Sequence, residues 1–182
     1  ATEAAYTPLY ESVWYGRDFV VTADLKGGNA KISPRVSGRF VTEYSWSNNA
    51  SATINLWTEA YDVIARSNNI INALDGFSEP GVSQEELDCL KGECLFLRAL
   101  GHFDLVRFYA QQYSSGTDNL GVPVILVTQI GKPARNTVGE VYDQIVNDLL
   151  EAEALIYDDI TLLHDGTDPK GWASKDAVKA LL

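Results

Sequence analysis

The chain has 182 residues with no methionine, two histidines, two cysteines and six prolines, and its 25 acidic residues outweigh 14 basic ones. Each shortage excludes something. The histidines, His102 in an apolar run and His164 in a polar stretch, form no His-Glu-x-x-His pair for a metal. There is no Gly-x-Ser-x-Gly elbow, and no glycine-rich loop leads into a lysine. Glu85-Glu86 and Asp158-Asp159 are neighbouring acids, but adjacency in sequence does not identify the paired carboxylates of a glycosidase. No enzyme activity, metal or cofactor is therefore expected. Cys89 and Cys94 fall on one helix and point in different directions, so they suit neither a metal site nor a local disulfide. They read as small buried hydrophobes. A net charge of −11 disfavours nucleic acid and anionic lipid, whose phosphates would be repelled. Neutral ligands suit this balance better. No signal segment precedes Ala1, and Leu181-Leu182 follows without a closing turn, so both ends read as cut edges of a larger fold.

What is present is helix. Ser83 and Glu86 fit a capping box that opens a helical run reaching to Tyr113. From Cys94 to Tyr109 this run is apolar nearly all round, as in a helix buried on several sides. Arg98, His102, Asp104 and Arg107 interrupt it, so it does not read as a membrane span. Buried charges persist when paired. Asp104 and Arg107 are spaced to meet on one face, whereas Arg98 needs a partner from a neighbouring element. Glu93, Arg98, Asp104 and Arg107 are accordingly read as structural.

Flanking this run, a helix is predicted over 50–74, with Trp57, Tyr61, Ile64, Asn68 and Ile71 on its buried face and Asn68 bonding to another helix. Gly76 and Pro80-Gly81 turn the chain back. Residues 121–127 read as a short extended segment. Thr137 and Glu140 form a second capping box, opening a helix that buries Val141, Tyr142, Ile145, Leu149, Ala152 and Ile156. Another helix starts near Ser174. Tyr6, Tyr10 and Trp14 recur every four residues, predicting an aromatic stripe packed on the core from one short helix. Residues 16–49 are irregular but too apolar for disorder, and read as ordered loop. The organisation expected is 1–49 as short helix and loop, and 50–182 as an all-α, helical-repeat scaffold.

The run Glu93-Cys94-Leu95-Phe96-Leu97-Arg98-Ala99, with Phe103-Asp104-Leu105-Val106-Arg107-Phe108-Tyr109, resembles the signature helix of the SusD/RagB family of outer-membrane nutrient-binding lipoproteins. The Trp57, Tyr61, Ile64, Asn68 spacing is similar to the family's preceding helix, and the Gly121-Val122-Pro123 stretch, Asp148-Leu149 with Ala152, and Trp172 to Ala177 are similar to the features that follow, in the same order. The resemblance implies tetratricopeptide-like helix pairs and makes this chain the N-terminal part of a larger SusD-like fold. It further implies a lipid-anchored, surface-exposed outer-membrane protein. Such a protein binds glycans without catalysis and delivers them to a SusC-like TonB-dependent transporter. A peptide-binding uptake component is the alternative within the family, and a tetratricopeptide-like adaptor the alternative outside it.

Sugar rings stack on flat aromatic faces while amides and charges take their hydroxyls. Glu43 to Asn49 gathers such groups, and Trp46 with Asn49 resembles an aromatic and amide pairing in glycan-binding members. Tyr44, Asp24 and Arg35 complete the candidate set, with Lys26 near them. Trp46 packed inward as a loop anchor is the competing reading.

Overall fold

The computed structural model describes residues 2–35, 38–47, 56–159, 163–164 and 171–182. The described residues form an all-α protein. Seven helices follow in order: α1 (Thr2–Tyr6), α2 (Asp18–Lys26), α3 (Val41–Tyr44), α4 (Leu56–Leu74), α5 (Gln84–Tyr109), α6 (Val138–Leu155) and α7 (Lys175–Leu181). Short 3-10 turns lie at Thr7–Tyr10 and Tyr113–Ser115. The extended segment after Gly121 joins no sheet; among the described residues the only bridge is Leu120 to Thr137. The chain divides into two compact units, Ala1–Tyr6 with Ala60–Leu182, and Thr7–Glu59.

In the larger unit α5 is the axis. It packs most extensively on α6, which in turn packs on α7, and α1 lies against α5. Ser83 opens α5 with a complete capping box, its Oγ accepting from the Glu86 N–H while Glu86 accepts from the Ser83 N–H at 2.7 Å. Thr137 and Glu140 do the same for α6. The core holds Leu95, Leu97 and Leu105 of α5 with Val141, Ile145 and Leu149 of α6, all essentially inaccessible. Two glycines let α5 come close to its neighbours. A Cβ at Gly101 would lie 3.0 Å from Ile64 Cγ1 of α4, and one at Gly92 would lie 2.7 Å from Ile156 Cγ1 beyond α6.

Three expectations need correction. The run predicted to reach Tyr113 stops at Tyr109, because Ala110 turns extended (ψ 174°) and the Arg135 guanidinium donates to the Tyr109 carbonyl at 2.9 Å. A tertiary donor thus takes a helix-end acceptor that sequence leaves open. On α4, Ala60, Val63, Ile64, Ser67 and Asn68 form the buried face and Trp57 is exposed. The stripe is rotated because close approach at Gly101 seats Ala60 and Ile64 against α5. The first part of the helix predicted over 50–74, residues 50–55, lies outside the described residues. Lastly, the Tyr6, Tyr10, Trp14 stripe does not sit on one helix. Pro8, which lacks an N–H, falls in a 3-10 turn between α1 and the turns that follow. Tyr6 and Trp14 are buried, but Tyr10 is 68% exposed.

The smaller unit, Thr7–Glu59, is loop-rich. Its α2 packs on α3. Trp14 is fully buried and stacks on Tyr15 at 5.5 Å between centroids, with Phe19 against Tyr15 at 5.1 Å.

Candidate functional site

The short helix α3 is bracketed by two bulky residues in the left-handed region, Phe40 at φ 59° and Trp46 at φ 57°. At its exit the Trp46 N–H donates to the Glu43 carbonyl (3.3 Å) and the Ser47 N–H to the Thr42 carbonyl (3.1 Å). These two bonds define a Schellman motif with Trp46 at the position normally given to glycine. Ser45 Oγ reinforces the turn by donating to the Val41 carbonyl at 2.7 Å. At the entry, the Arg17 guanidinium lies 5.8 Å over the Phe40 ring while its Nε pairs with Asp18. Left-handed backbone at a residue with a Cβ costs roughly 1–2 kcal/mol, yet here it holds an indole that is 64% exposed.

Tyr44, 44% exposed, shares this turn with Trp46. Asp24 is exposed on α2, the helix packed on α3, and Arg35 is exposed on the loop that connects them. Trp46 and Tyr44 are therefore brought into one exposed aromatic turn. Asn49 lies outside the described residues. The turn carries an exposed aromatic surface, suited to stacking a flat apolar ring face.

The charged residues of α5 occupy a different environment. Arg98 is buried and forks onto Asp148 of α6, Nε to Oδ2 at 2.8 Å and a terminal nitrogen to Oδ1 at 2.7 Å. Its other terminal nitrogen donates to Asn68 Oδ1 at 3.0 Å, and the Asn68 amide donates on to the Ile125 carbonyl at 2.8 Å. Gln144 adds a further bond to Asp148. This two-pronged geometry compensates the cost of taking both charges out of water. Asp104, fully buried, accepts from Arg107 at 2.8 Å, and Arg107 lies over the Phe103 ring at 4.3 Å. His102 accepts at Nε2 from the Ile125 N–H (3.2 Å), so its Nδ1–H donates to the Arg98 carbonyl (3.0 Å). Burial lowers its pKa to about 4, so the ring is neutral.

Glu93 is fully buried between Tyr6, which donates to it at 2.5 Å, and His164 Nε2 at 2.6 Å. Burial raises the Glu93 carboxyl and the Tyr6 hydroxyl above their ordinary values. The His164 ring stacks on Trp172 at 3.6 Å between centroids, and Trp172 meets Tyr6 edge-on. Both ring nitrogens of His102 and both oxygens of Glu93 are thus engaged within the protein. Among the described residues no group of three or more His, Cys, Asp or Glu side chains is placed to hold a metal ion. No described helix is long and apolar enough to cross a membrane.

A SusD-like family model, described as starch-binding and associating with the outer membrane, matches residues 8–182. The chain belongs to the SusD-like family. A SusD-like protein of Bacteroides ovatus is 27% identical over 185 residues, covering 96% of this chain and 30% of that relative. The crystal structure of a SusD superfamily protein from Bacteroides thetaiotaomicron matches with a TM-score of 0.81 at 25% identity, over 99% of this chain and 39% of the other. A second SusD superfamily structure, from Bacteroides vulgatus, matches with a TM-score of 0.76 at 26% identity, over 90% and 42% of the two chains. The chain thus spans well under half the length of these SusD-like relatives.

Two arrangements in this SusD-like chain are not visible in its sequence pattern. One is the left-handed conformation of Trp46, which glycine would have signalled and tryptophan conceals. The other is the convergence of Tyr6, Glu93, His164 and Trp172, which are drawn from three distant stretches. Glu93 standing alone in a buried helix was its only signal.

Proposed function

We propose that this chain is the part of a surface glycan-binding protein that presents an aromatic platform to neutral oligo- or polysaccharides. The observation that carries the reading is Trp46, whose indole stands exposed on a left-handed Schellman turn beside exposed Tyr44. A strained backbone that holds an apolar ring out in water points to use of that ring. Asn49, Asp24 and Arg35 are assigned to the hydroxyl-binding groups around it. The family description, starch-binding and associating with the outer membrane, supports both the ligand class and the location.

On this reading the protein is non-catalytic, lipid-anchored at the outer surface, and hands its ligand to a SusC-like TonB-dependent transporter. Residues 1–49 carry ligand contacts and residues 50–182 the scaffold. The scaffold consists of tetratricopeptide-like pairs, α4 with α5 and α6 with α7, within a larger SusD-like fold. Glu93, Arg98, Asp104 and Arg107 are structural and take no part in binding. Arg98 ties α5 to α4 and α6, Glu93 ties α5 to Tyr6 and His164, and Asp104 pairs with Arg107 within α5.

Affinity electrophoresis in gels containing soluble starch, laminarin, arabinoxylan or galactomannan tests the reading, with Trp46→Ala run beside the parent chain. Retardation by one glycan class, weakened at least tenfold in the variant, is the expected result. Retardation that ignores the substitution would move the site away from Trp46. No retardation in any gel would remove the glycan reading.

A further inference from the structure

The end of the α4–α5 hairpin holds a cleft of about 430 Å³, within the larger compact unit. That volume falls in the range of small-ligand sites, roughly 300–1,000 Å³. In the connector from Asp75 to Ser83 the chain leaves α4 through Gly76 at φ 72° and turns at Gly81 at φ 92°. Ile71 and Leu74 of α4 and buried Leu87 of α5 supply apolar groups to the lining of the cleft. Phe77, 46% exposed, supplies an aromatic face at its edge, fixed by an N–H bond to the Leu74 carbonyl at 3.1 Å.

The rest of the lining carries both donors and acceptors. Asn72 and Gln84 are amides, Asp75 and Asp88 are carboxylates, and Lys91 is an ammonium. Gln84 donates to Asp88 at 2.8 Å, and Lys91 reaches Glu151 of α6 at 2.5 Å. A lining of both kinds selects among ligand classes. A hydroxyl both donates and accepts, so vicinal hydroxyls can use carboxylates and amides in turn. Anions are opposed by Asp75, by Asp88 and by the C-terminal carbonyls of α4, whose last turn holds no basic residue. The one ammonium is already neutralised by Glu151. Purely apolar ligands would strand the polar groups without partners.

We infer that this cleft is a second carbohydrate subsite, taking one or two neutral pyranose units with a ring face on Phe77 and hydroxyls on Asp75, Asp88 and Asn72. The inference rests on the glycan reading and extends it, since the subsite belongs to a different compact unit from Trp46.

Phe77→Ala and Asp88→Asn test the subsite, each alone and combined with Trp46→Ala, in the same four polysaccharide gels. Each single variant is expected to weaken the retardation roughly three- to tenfold. Trp46→Ala is expected to keep a residual retardation that disappears when Phe77→Ala is added. Hydrogen exchange of the parent chain with the retarding polysaccharide should show protection across residues 71–91, lost in Phe77→Ala. If the parent chain is retarded while Phe77→Ala and Asp88→Asn bind as tightly and residues 71–91 gain no protection, the subsite is wrong and the Trp46 reading stands. Absence of retardation of the parent chain by all four polysaccharides overturns both.

Discussion

Trp46 joins the two most informative properties that one residue can have here, an unfavourable backbone and an exposed side chain. Glycine at this Schellman position would carry no steric cost, whereas alanine keeps it. Trp46→Gly is therefore expected to be more stable than Trp46→Ala by about 1 kcal/mol, read from urea midpoints. Equal stabilities, or a larger loss in the glycine variant, would show that the turn does not bear this strain. A loss of about 3 kcal/mol or more in both variants would mean that the indole is a packing anchor instead. Residues 16–49 read in the sequence as ordered loop, but the structure forms α2 and α3 there, with Tyr44 ending α3 and Trp46 two residues beyond it. The conformation of Trp46 is not legible in the sequence, since it is imposed by two backbone bonds to Thr42 and Glu43.

Helices α5 and α6 were the most readable elements, because both open with capping boxes whose residue types encode their own geometry. Their partners were less readable. Arg98 signals that it needs an acid, but only packing of α5 on α6 selects Asp148. The end of α5 depends on Arg135, which lies on a later segment, so no local signal marks it. The close contact at Gly92 is similar. Alanine normally favours a helix by about 1 kcal/mol over glycine. At Gly92, however, the new methyl would lie 2.7 Å from Ile156 Cγ1 and 3.2 Å from the Ile156 backbone nitrogen. Gly92→Ala is accordingly expected to destabilise the protein by about 1–3 kcal/mol, measured by thermal or urea unfolding. A stabilised variant would show that the end of α6 can retreat without loss.

For the molecule as a whole, buried titratable groups set how stability responds to acid. His102 is neutral when folded, with a pKa of about 4, against about 6.5 when unfolded. Between those values the unfolded chain binds the additional proton, so this contribution is full above pH 6.5 and fades as pH falls toward 4. Glu93 acts in the opposite sense. Its raised pKa means that the folded state holds the proton more tightly, a contribution lost as pH rises through the folded value. His102→Gln isolates the first effect, because Glu93 is common to both proteins. The parent chain's advantage over His102→Gln is expected to shrink by roughly 2 kcal/mol between pH 7 and pH 4.5. A constant gap would mean that His102 titrates normally in the fold.

The Tyr6 hydroxyl sits between two distant stretches, donating to Glu93 and accepting from the Ala173 N–H at 3.0 Å. In synthesis from the N-terminus Tyr6 emerges well before Ala173, which lies 167 positions later. Helix α1 thus has to wait for all of those intervening residues before both bonds can close. An interrupted translation product lacking Ala173 leaves the first helix half tethered.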